Sequence, residues 1–200
     1  MPSADDVAII HAVLHGDVDR YAELVDRYQG MALKVAVSLL GNAEDARDVS
    51  QDAFLSAFQS LSRFRQGAAF STWLYRIIVN KCKDLFRRRA HRPRIDSSLN
   101  DPDAADDDGP RFLDVVEDGA ADPRADAATR ELSSRINTAI GALPVKQRTA
   151  FVLHHVHGLA VEETAAVMGC RAGTVKSHIF RATQRLRDQL EPSLRMSGSE

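Results

Sequence analysis

The stretch STWLYRIIVNKCKDLFRRR, residues 71–89, combines a helical apolar pattern with an unusual polar face. On a helical wheel, at about 100° per residue, its apolar side chains gather on one side, as a helix packed in a core requires. That side consists of Leu74, Tyr75, Ile77, Ile78, Val79, Cys82, Leu85 and Phe86. The pattern predicts an amphipathic helix packed against other helices, and the fold class that we expect is all-α.

The other side of this helix carries one aromatic ring, one amide and several cations, with a single acid among them. Its residues are Trp73, Arg76, Asn80, Lys83, Asp84 and Arg87. Cations bind phosphates, amides contact base edges, and an aromatic ring can stack on an unpaired base. The composition favours a nucleic-acid-binding face. The alternative is a solvated charged helix with a half-buried Trp.

Charge is segregated along the 200 residues, although the net charge is only −2. Residues 62–94 hold ten Lys or Arg and one acid, whereas residues 96–126 hold eleven acids and two Arg. Residues 171–187 again hold five Lys or Arg and no acid. Two basic blocks around an acidic one predict two DNA-facing parts joined by a segment that does not face DNA.

The acidic segment is rich in Pro and Gly and poor in apolar residues, so it predicts a flexible linker. We therefore expect two small helical domains, at 1–92 and 128–192, joined by a flexible acidic linker at 93–127 and followed by a disordered tail at 193–200. In the first domain the apolar spacing predicts short helices around 7–14, 21–28 and 31–40, a stop at Gly41-Asn42, and a longer helix over 44–61. The core stripe of that longer helix is Val49, Ala53, Ala57 and Leu61.

Residues 161–190 predict two helices separated by a glycine-containing turn, with the second helix starting near Thr174. This is the helix-turn-helix pattern, in which the second helix enters the major groove of duplex DNA. Its core stripe would be Val175, Ile179, Ala182 and Leu186, with the small Ala165 where the two helices cross. The groove-facing candidates are Arg171, Thr174, Lys176, Ser177, Phe180, Arg181 and Arg185. The alternative is a helical hairpin with a basic solvent face.

Three stretches together resemble one family. SRFRQGAAFSTWLYRIIVNKCKDLFRRR, residues 62–89, resembles the second conserved region of the extracytoplasmic-function sigma factors of bacterial RNA polymerase. AEDARDVSQDAFLSAF, residues 43–58, resembles the segment with which such factors bind the polymerase. LPVKQRTAFVLHHVHGLAVEETAAVMGCRAGTVKSHIFRATQRLR, residues 143–187, resembles their fourth region. Along the chain the three stretches follow the order of the family, with a variable linker between residues 62–89 and residues 143–187.

The resemblance implies a role for each matching residue. Asp48, Gln51 and Asp52 would bind the clamp helices of the largest polymerase subunit, and the second domain would contact the flap. The loop from Phe64 to Phe70 would capture a base flipped out of the minus-ten element. Binding of the melted minus-ten DNA would involve Phe64, Arg65, Phe70, Trp73, Arg76, Asn80, Lys83 and Arg87. The groove-facing candidates of the helix-turn-helix would bind the minus-thirty-five element as duplex.

The same resemblance implies core RNA polymerase, promoter DNA and an anti-sigma factor as partners. The N-terminus lacks a basic leader, and nothing approaches the roughly 18 consecutive apolar residues of a membrane span. The two cysteines, Cys82 and Cys170, lie far apart in sequence and fit reduced thiols. We expect a cytoplasmic protein without cofactor, metal, small-molecule substrate or membrane insertion.

Two other functional classes compete with this interpretation. A helix-turn-helix regulator acting without polymerase accounts for residues 161–190 but leaves Trp73 and Asn80 unexplained. A metal enzyme would start from the His154 and His157 pair at three-residue spacing, with His155 and Cys170 near in sequence, but no carboxylate completes the set. No phosphate loop, nucleophile motif or paired catalytic carboxylates occur, so we expect no intrinsic catalysis.

Overall fold

The computed structural model of this chain describes residues 3–64, 69–90 and 127–196. Within these ranges the chain forms eight α-helices, two short 3-10 turns (Val18–Arg20 and Leu61–Arg63) and one π-helical segment (Val152–Val156), and no β-strand. The helices are α1 (Ala4–Leu14), α2 (Tyr21–Leu40), α3 (Ala43–Gln59), α4 (Phe70–Ala90), α5 (Ala127–Gly141), α6 (Val145–Phe151), α7 (Val161–Met168) and α8 (Ala172–Met196). The all-α expectation is confirmed. The predicted linker falls on residues outside the described ranges except for its last residue, Ala127, which begins α5.

The first domain is arranged around α2, which contacts α1, α3 and α4. The two short helices predicted over residues 21–40 are one continuous helix, because Gly30 does not interrupt it. A glycine inside a helix costs about 1 kcal/mol relative to Ala, which the apolar burial on both sides of it outweighs. Leu24 before Gly30, and Val35 and Leu39 after it, are all buried in the same core.

The predicted stop at Gly41-Asn42 is confirmed, and the two residues act differently. Gly41 ends α2 with a left-handed backbone (φ 69°), a conformation that side-chain-bearing residues rarely adopt, and its N–H donates to the Val37 carbonyl at 2.8 Å. The Asn42 side chain then caps α3 by accepting from the N–H groups of Glu44 (2.9 Å) and Asp45 (3.1 Å). This tight connection lets α3 pack against α2.

The apolar side predicted for residues 71–89 is the buried side of α4. Leu74, Ile78 and Val79 are completely buried, and Cys82 and Phe86 nearly so. Burial raises the pKa of the Cys82 thiol to about 12, so this sulfur stays protonated and unreactive. The core stripe predicted for α3 is also buried, although its last member, Leu61, lies in the 3-10 turn that follows the helix.

The second domain has the helix-turn-helix geometry. Helix α7 begins at Val161, where the predicted motif starts, and Gly169 makes the turn with a left-handed backbone (φ 69°). Helix α8 begins at Ala172, two residues before the predicted start near Thr174. Ala150, Ala165 and Val175 form a small buried cluster where α6, α7 and α8 meet. The small side chains let the helices approach closely, as we expected of Ala165. Helix α8 continues to Met196, past the predicted domain end at residue 192.

The two domains pack against each other. Helix α4 contacts α7, and the π-helical segment contacts α2. One continuous cluster of buried apolar side chains includes Leu39 and Ile78 from the first domain and Leu153 and Val167 from the second. The described parts therefore share a core instead of standing apart.

The first helix is held by a buried carboxylate, which gives a stability prediction. Asp6 is 2% exposed and accepts from Arg27 Nη1 and from the Tyr28 hydroxyl, both at 2.5 Å. Burial and the bond to Asp6 raise the pKa of Tyr28 to about 12, which keeps the hydroxyl a donor. Asp6→Ala leaves both donors without their acceptor and should lower the free energy of unfolding by about 2 kcal/mol in urea titrations.

Asp5→Ala is the matched control, because Asp5 lies in the same first turn of α1 but is exposed. This variant should lose no more than about 0.5 kcal/mol, the value of an acid near a helix N-terminus. Equal losses in the two variants would contradict the structural role of Asp6.

Three histidines make the folded state sensitive to acid. Burial is the main cause that lowers the pKa of His155, His157 and His178 below the ordinary value of 6.5. His157 lies between the domains, where its ring meets Tyr75 of α4 edge to face (centroids 6.1 Å apart) and Lys34 of α2 lowers its pKa further. Its buried Nε2 has no hydrogen-bond partner. The fold therefore accommodates the neutral ring.

Protonation of these histidines must consequently favour the unfolded state, or a state in which the two domains are apart, because there the histidines have their ordinary pKa. The contribution of these histidines to stability should be constant above pH 6.5 and should fall as the pH drops from 6.5 toward their lowered pKa values in the folded state. Thermal unfolding at pH 7.5 and 5.5 measures this loss. His157→Gln removes one of the three groups and should show a smaller loss, whereas an unchanged loss would exclude His157 as a contributor.

Candidate polymerase and nucleic-acid interfaces

The three residues expected to bind polymerase lie together on the exposed face of α3. Asp48, Gln51 and Asp52 are exposed, while the neighbouring Val49 and Ala53 are buried. Spacings of three and four residues place the exposed side chains on adjacent turns of one helix face. The arrangement offers two carboxylates and one amide to a partner.

Sequence reasoning missed the apolar continuation of this face. Leu55, four residues after Gln51, is 60% exposed, and Phe58 is 38% exposed and rests edge-on against Tyr21, with ring centroids 4.9 Å apart. Large apolar side chains left open beside charged ones are typical of protein-binding surfaces. The signal in the sequence was an apolar residue on the polar side of the α3 helical wheel.

An aromatic cluster surrounds the start of α4. The Trp73 ring lies 5.3 Å from the Phe64 ring and 5.7 Å from the Phe70 ring, and Tyr28 closes the cluster from α2 at 5.3 Å from Phe70. Trp73 and Phe64 remain partly exposed. These two rings are therefore the ones that a base can reach.

Phe70 does not fit the DNA-contacting role that we expected. It is the first residue of α4 and is completely buried, so its ring supports Trp73 and Phe64 from below. Sequence alone could not distinguish a stacking Phe from a core Phe at this position. Arg65, also expected to contact DNA, lies outside the described residues.

Some polar side chains of α4 are exposed without an ion pair to a described residue, and others pair with an acid. Arg76 and Asn80 are exposed, one turn apart. Arg87 is exposed but pairs with Asp84, so the only acid of the stretch neutralises one of its cations. Such exposed ion pairs contribute little to stability, so a phosphate can replace the Asp84 carboxylate as the partner of Arg87. Arg89 instead donates to Asp45 of α3 at 2.5 Å and ties the end of α4 to the start of α3.

Lys83 is placed differently from the other cations. It is half-buried, and burial lowers the pKa of its ammonium group, assisted by Lys146 and Arg87 and opposed by Cys170. Lys146 and Cys170 belong to the second domain. Lys83 therefore lies at the junction between the domains in this conformation, an environment that the sequence pattern did not reveal.

The predicted groove-facing residues of the helix-turn-helix all lie on the open surface of the second domain. The seven are exposed, and Phe180, at 65%, is the most exposed of the large apolar residues described in the structure. The opposite side of α8 buries Val175, Ala182 and Leu186, with Ile179 partly buried. The Ser177 hydroxyl donates to the Gly173 carbonyl at 3.1 Å, which leaves its oxygen able to accept. A duplex can reach this face without rearrangement of the helix.

The histidines considered as metal ligands have other contacts. His154 Nδ1 lies 2.7 Å from the Leu159 carbonyl, and His157 faces Tyr75. Among the described residues no three His, Cys, Asp or Glu side chains are placed to share an ion. In the same residues, no helix combines the length and the apolar character that crossing a membrane requires.

Comparisons with known proteins agree with this architecture. Residues 24–92 match the family model of sigma-70 region 2, and residues 133–186 match that of sigma-70 region 4. The chain is 36% identical over 190 residues to the RNA polymerase sigma-H factor of Pseudomonas aeruginosa, covering 95% of this chain and 96% of that protein. It is 34% identical over 195 residues to the ECF RNA polymerase sigma-E factor of Escherichia coli K12, covering 95% and 96%.

Solved structures show the same fold. CnrH, solved in complex with the cytosolic domain of CnrY, aligns with a TM-score of 0.62 at 27% identity, over 92% of this chain and 96% of that one. The sigma factor RpoE of Bartonella quintana, solved with the anti-sigma factor NepR, also gives 0.62, at 24% identity over 86% and 96%. Two sigma-70 regions in this order define a sigma factor of RNA polymerase. The chain belongs to the ECF sigma factors, as its identity to full-length members shows.

Proposed function

We propose that this chain binds core RNA polymerase through α3 and directs initiation at promoters whose two elements are bound by α4 and α8. The proposal rests on one observation, that two surfaces of different chemistry lie next to each other in the first domain. Helix α3 exposes acids and Leu55, whereas the adjacent α4 exposes Arg76, Asn80 and a Trp edge. A regulator that only binds duplex DNA has no use for either surface.

The polymerase contact combines charge and apolar area. Asp48 and Asp52 supply carboxylates for basic partner residues, and Leu55 with Phe58 supplies the apolar centre that such an interface needs. Gln51 lies between the two acids in sequence, and its amide can both donate and accept hydrogen bonds. The α3 surface would bind the clamp helices of the largest subunit, and the second domain would bind the flap.

The minus-ten contact divides between stacking and charge. Trp73 and Phe64 offer partly exposed rings to an unpaired base, and the Asn80 amide offers a donor and an acceptor to a base edge. Arg76 and Arg87 are placed for phosphates along the same helix. Flipping a base costs a few kcal/mol, which stacking on these rings must recover.

The minus-thirty-five contact is a duplex contact made by α8. Arg171 directly precedes α8, and Thr174 and Lys176 lie in its first turns, where recognition helices contact base edges. Ser177, Phe180, Arg181 and Arg185 continue along the same exposed face toward the flanking phosphates.

The proposed activity is that of an initiation factor without a catalytic step of its own, acting in the cytoplasm where the polymerase is. The relatives CnrH and RpoE were solved with CnrY and with the anti-sigma factor NepR. We extend that kind of partner to this chain and propose an anti-sigma factor for it. No cofactor enters the proposal.

Run-off transcription tests the function. Purified chain added to core polymerase without another sigma factor, on fragmented genomic DNA, should give discrete starts preceded by two spaced elements. The Lys176→Ala/Arg181→Ala double variant should lose dependence on the upstream element, because it lacks two of the proposed contacts. Arg135→Ala, an exposed Arg on α5 of the same domain that is not among the proposed contacts, is the control and should keep the starts. Absence of both starts and core binding would reject the proposal.

Asn80→Ala tests the melted-strand contact separately. Asn80 is exposed, and among the described residues no side-chain hydrogen bond of its amide holds α4, so its loss should leave folding and core binding unchanged. Promoter opening, followed by permanganate reactivity of unpaired thymines, should fall on the order of tenfold, the value of one lost base contact. Gln29→Ala, an exposed amide on α2, is the matched control and should open promoters normally. Normal opening by Asn80→Ala would remove the proposed role.

A further inference from the structure

Two histidines form a pair at the C-terminal end of α1. His11 lies in the last turn of the helix, and His15 is the residue that caps it. A spacing of four residues places both side chains on the same face of the helix. Their rings stack with centroids 4.0 Å apart and an angle of 24° between the ring planes, and both side chains are exposed. The pair belongs neither to the core nor to the surfaces assigned to polymerase and DNA.

A hydrogen bond fixes the state of the His15 ring. His15 Nδ1 lies 2.7 Å from the His11 carbonyl oxygen. Because a carbonyl oxygen can only accept, Nδ1 carries the hydrogen, and in the neutral ring Nε2 then holds a free lone pair. Metal-binding histidines are commonly oriented in this way, with one ring nitrogen donating to a carbonyl or carboxylate and the other facing the ion. His15 is therefore oriented to act as a metal ligand through Nε2.

The distance between the two rings fits one shared ion. Zn²⁺ binds imidazole nitrogens at about 2.0–2.1 Å, so two nitrogens on one tetrahedral ion stand about 3.3 Å apart. Two histidines four residues apart on one helix face are the arrangement that zinc-binding helices use. The stacked rings must rotate about the Cβ–Cγ bonds before both lone pairs meet at one point, and this torsion is soft. The exposure of both side chains leaves room for the rotation.

The charge around the pair favours a cation. Residues 1–19 hold four acids and no Lys or Arg. The pair lies where the dipole of α1 has its negative end. The Asp17 N–H donates to the Ala12 carbonyl at 3.1 Å, which returns the acidic segment after the helix to its last turn. Arg20, the first basic side chain along the sequence, pairs with Glu23 at 2.7 Å.

We propose that His15 Nε2 and a ring nitrogen of His11 bind a divalent transition-metal ion, for which Zn²⁺ is the probe. Imidazole suits Zn²⁺, Ni²⁺ and Cu²⁺, whereas Mg²⁺ and Ca²⁺ prefer oxygen ligands. Among the described residues no third His, Cys, Asp or Glu is placed to share the ion, so water fills its remaining positions. The ion consequently exchanges with solution, unlike the ion of a closed four-ligand site. The inference goes beyond the proposed function and does not depend on it.

A bound ion would fix the second end of α1. The first turn of this helix is already held by Asp6, which accepts from Arg27 and Tyr28. An ion on both rings joins the last turn to the residue that caps it. Because the unfolded chain does not hold the two rings together, the ion favours the folded state. Zn²⁺ should therefore raise the unfolding temperature, and the rise should grow with the ion concentration.

Calorimetric titration of the full chain with Zn²⁺ measures the affinity, and amide hydrogen exchange locates the ion. The N–H groups of His15, Gly16 and Asp17 all donate to carbonyls in the last turn of α1. Zn²⁺ should slow the exchange of these three amides, because the ion holds that turn together. Mg²⁺ at the same concentration should leave them unchanged. Zinc bound elsewhere in the chain does not act on these amides, so the measurement is specific to the pair.

His15→Asn separates the metal ligand from the helix cap. The Asn amide can still donate to the His11 carbonyl, and Asn is accepted at helix C-terminal ends, but it lacks Nε2. His11→Gln removes the other ring and keeps a good helix former. Loss of a mere second-shell partner costs about 10- to 100-fold in metal affinity, so each variant should lose at least that much. His155→Gln, an exposed histidine of the second domain, is the matched control and should keep the zinc affinity of the pair.

The measurements decide the proposal in either direction. Slowed amides in the wild type, with the effect lost in both variants, would establish the pair as the metal site. Zn²⁺ that leaves the three amides of the wild type unchanged, or slows them equally in His15→Asn, would overturn it. Circular dichroism shows whether the variants remain helical. If a variant unfolds, the comparison of Zn²⁺ with Mg²⁺ on the wild-type amides decides alone.

Discussion

The amphipathic division of α4 is the constraint on which the rest of the structure depends. Helix α4 contacts α2, α3 and α7, so it belongs both to the core of the first domain and to the junction with the second. Because the side chains buried against neighbouring helices have no surface left for DNA, the remaining arc is all that α4 can offer to it. That arc holds Arg76 and Asn80 in the open and Trp73 half-open. The helix thus carries stability and specificity on opposite faces.

Local patterns determined much of this fold in advance. The helical periodicity of residues 71–89, the Gly41-Asn42 stop and the glycine turn at Gly169 each depend on neighbours in sequence, and each was predicted. The division at Gly30 was wrong because a helix continues through a glycine when burial on both sides favours it. Helix propensity is a local property of the sequence, and it does not include this contribution of tertiary packing.

Contacts between distant residues were not predictable in the same way. Phe70 has the sequence signature of a stacking ring, but the packing of Tyr28 and Trp73 around it makes it a core residue. Arg148 is 2% exposed and donates to the Leu39 carbonyl of the first domain at 3.0 Å. It belongs to the stretch LPVKQR, in which nothing local indicates a buried cation. Leu55 was visible as an apolar residue on a polar face, and only its measured exposure shows that the fold leaves it open.

The ion pair between Arg89 and Asp45 has a mechanical consequence. It joins the C-terminal end of α4 to the N-terminal end of α3, three residues before Asp48, and the two helices also share a close-packed core along their length. Such interiors are stiff and pass on displacement instead of absorbing it. We therefore expect α3 and α4 to move together, so that a displacement of the outer surface of α3 is passed on to the part of α4 that carries Trp73.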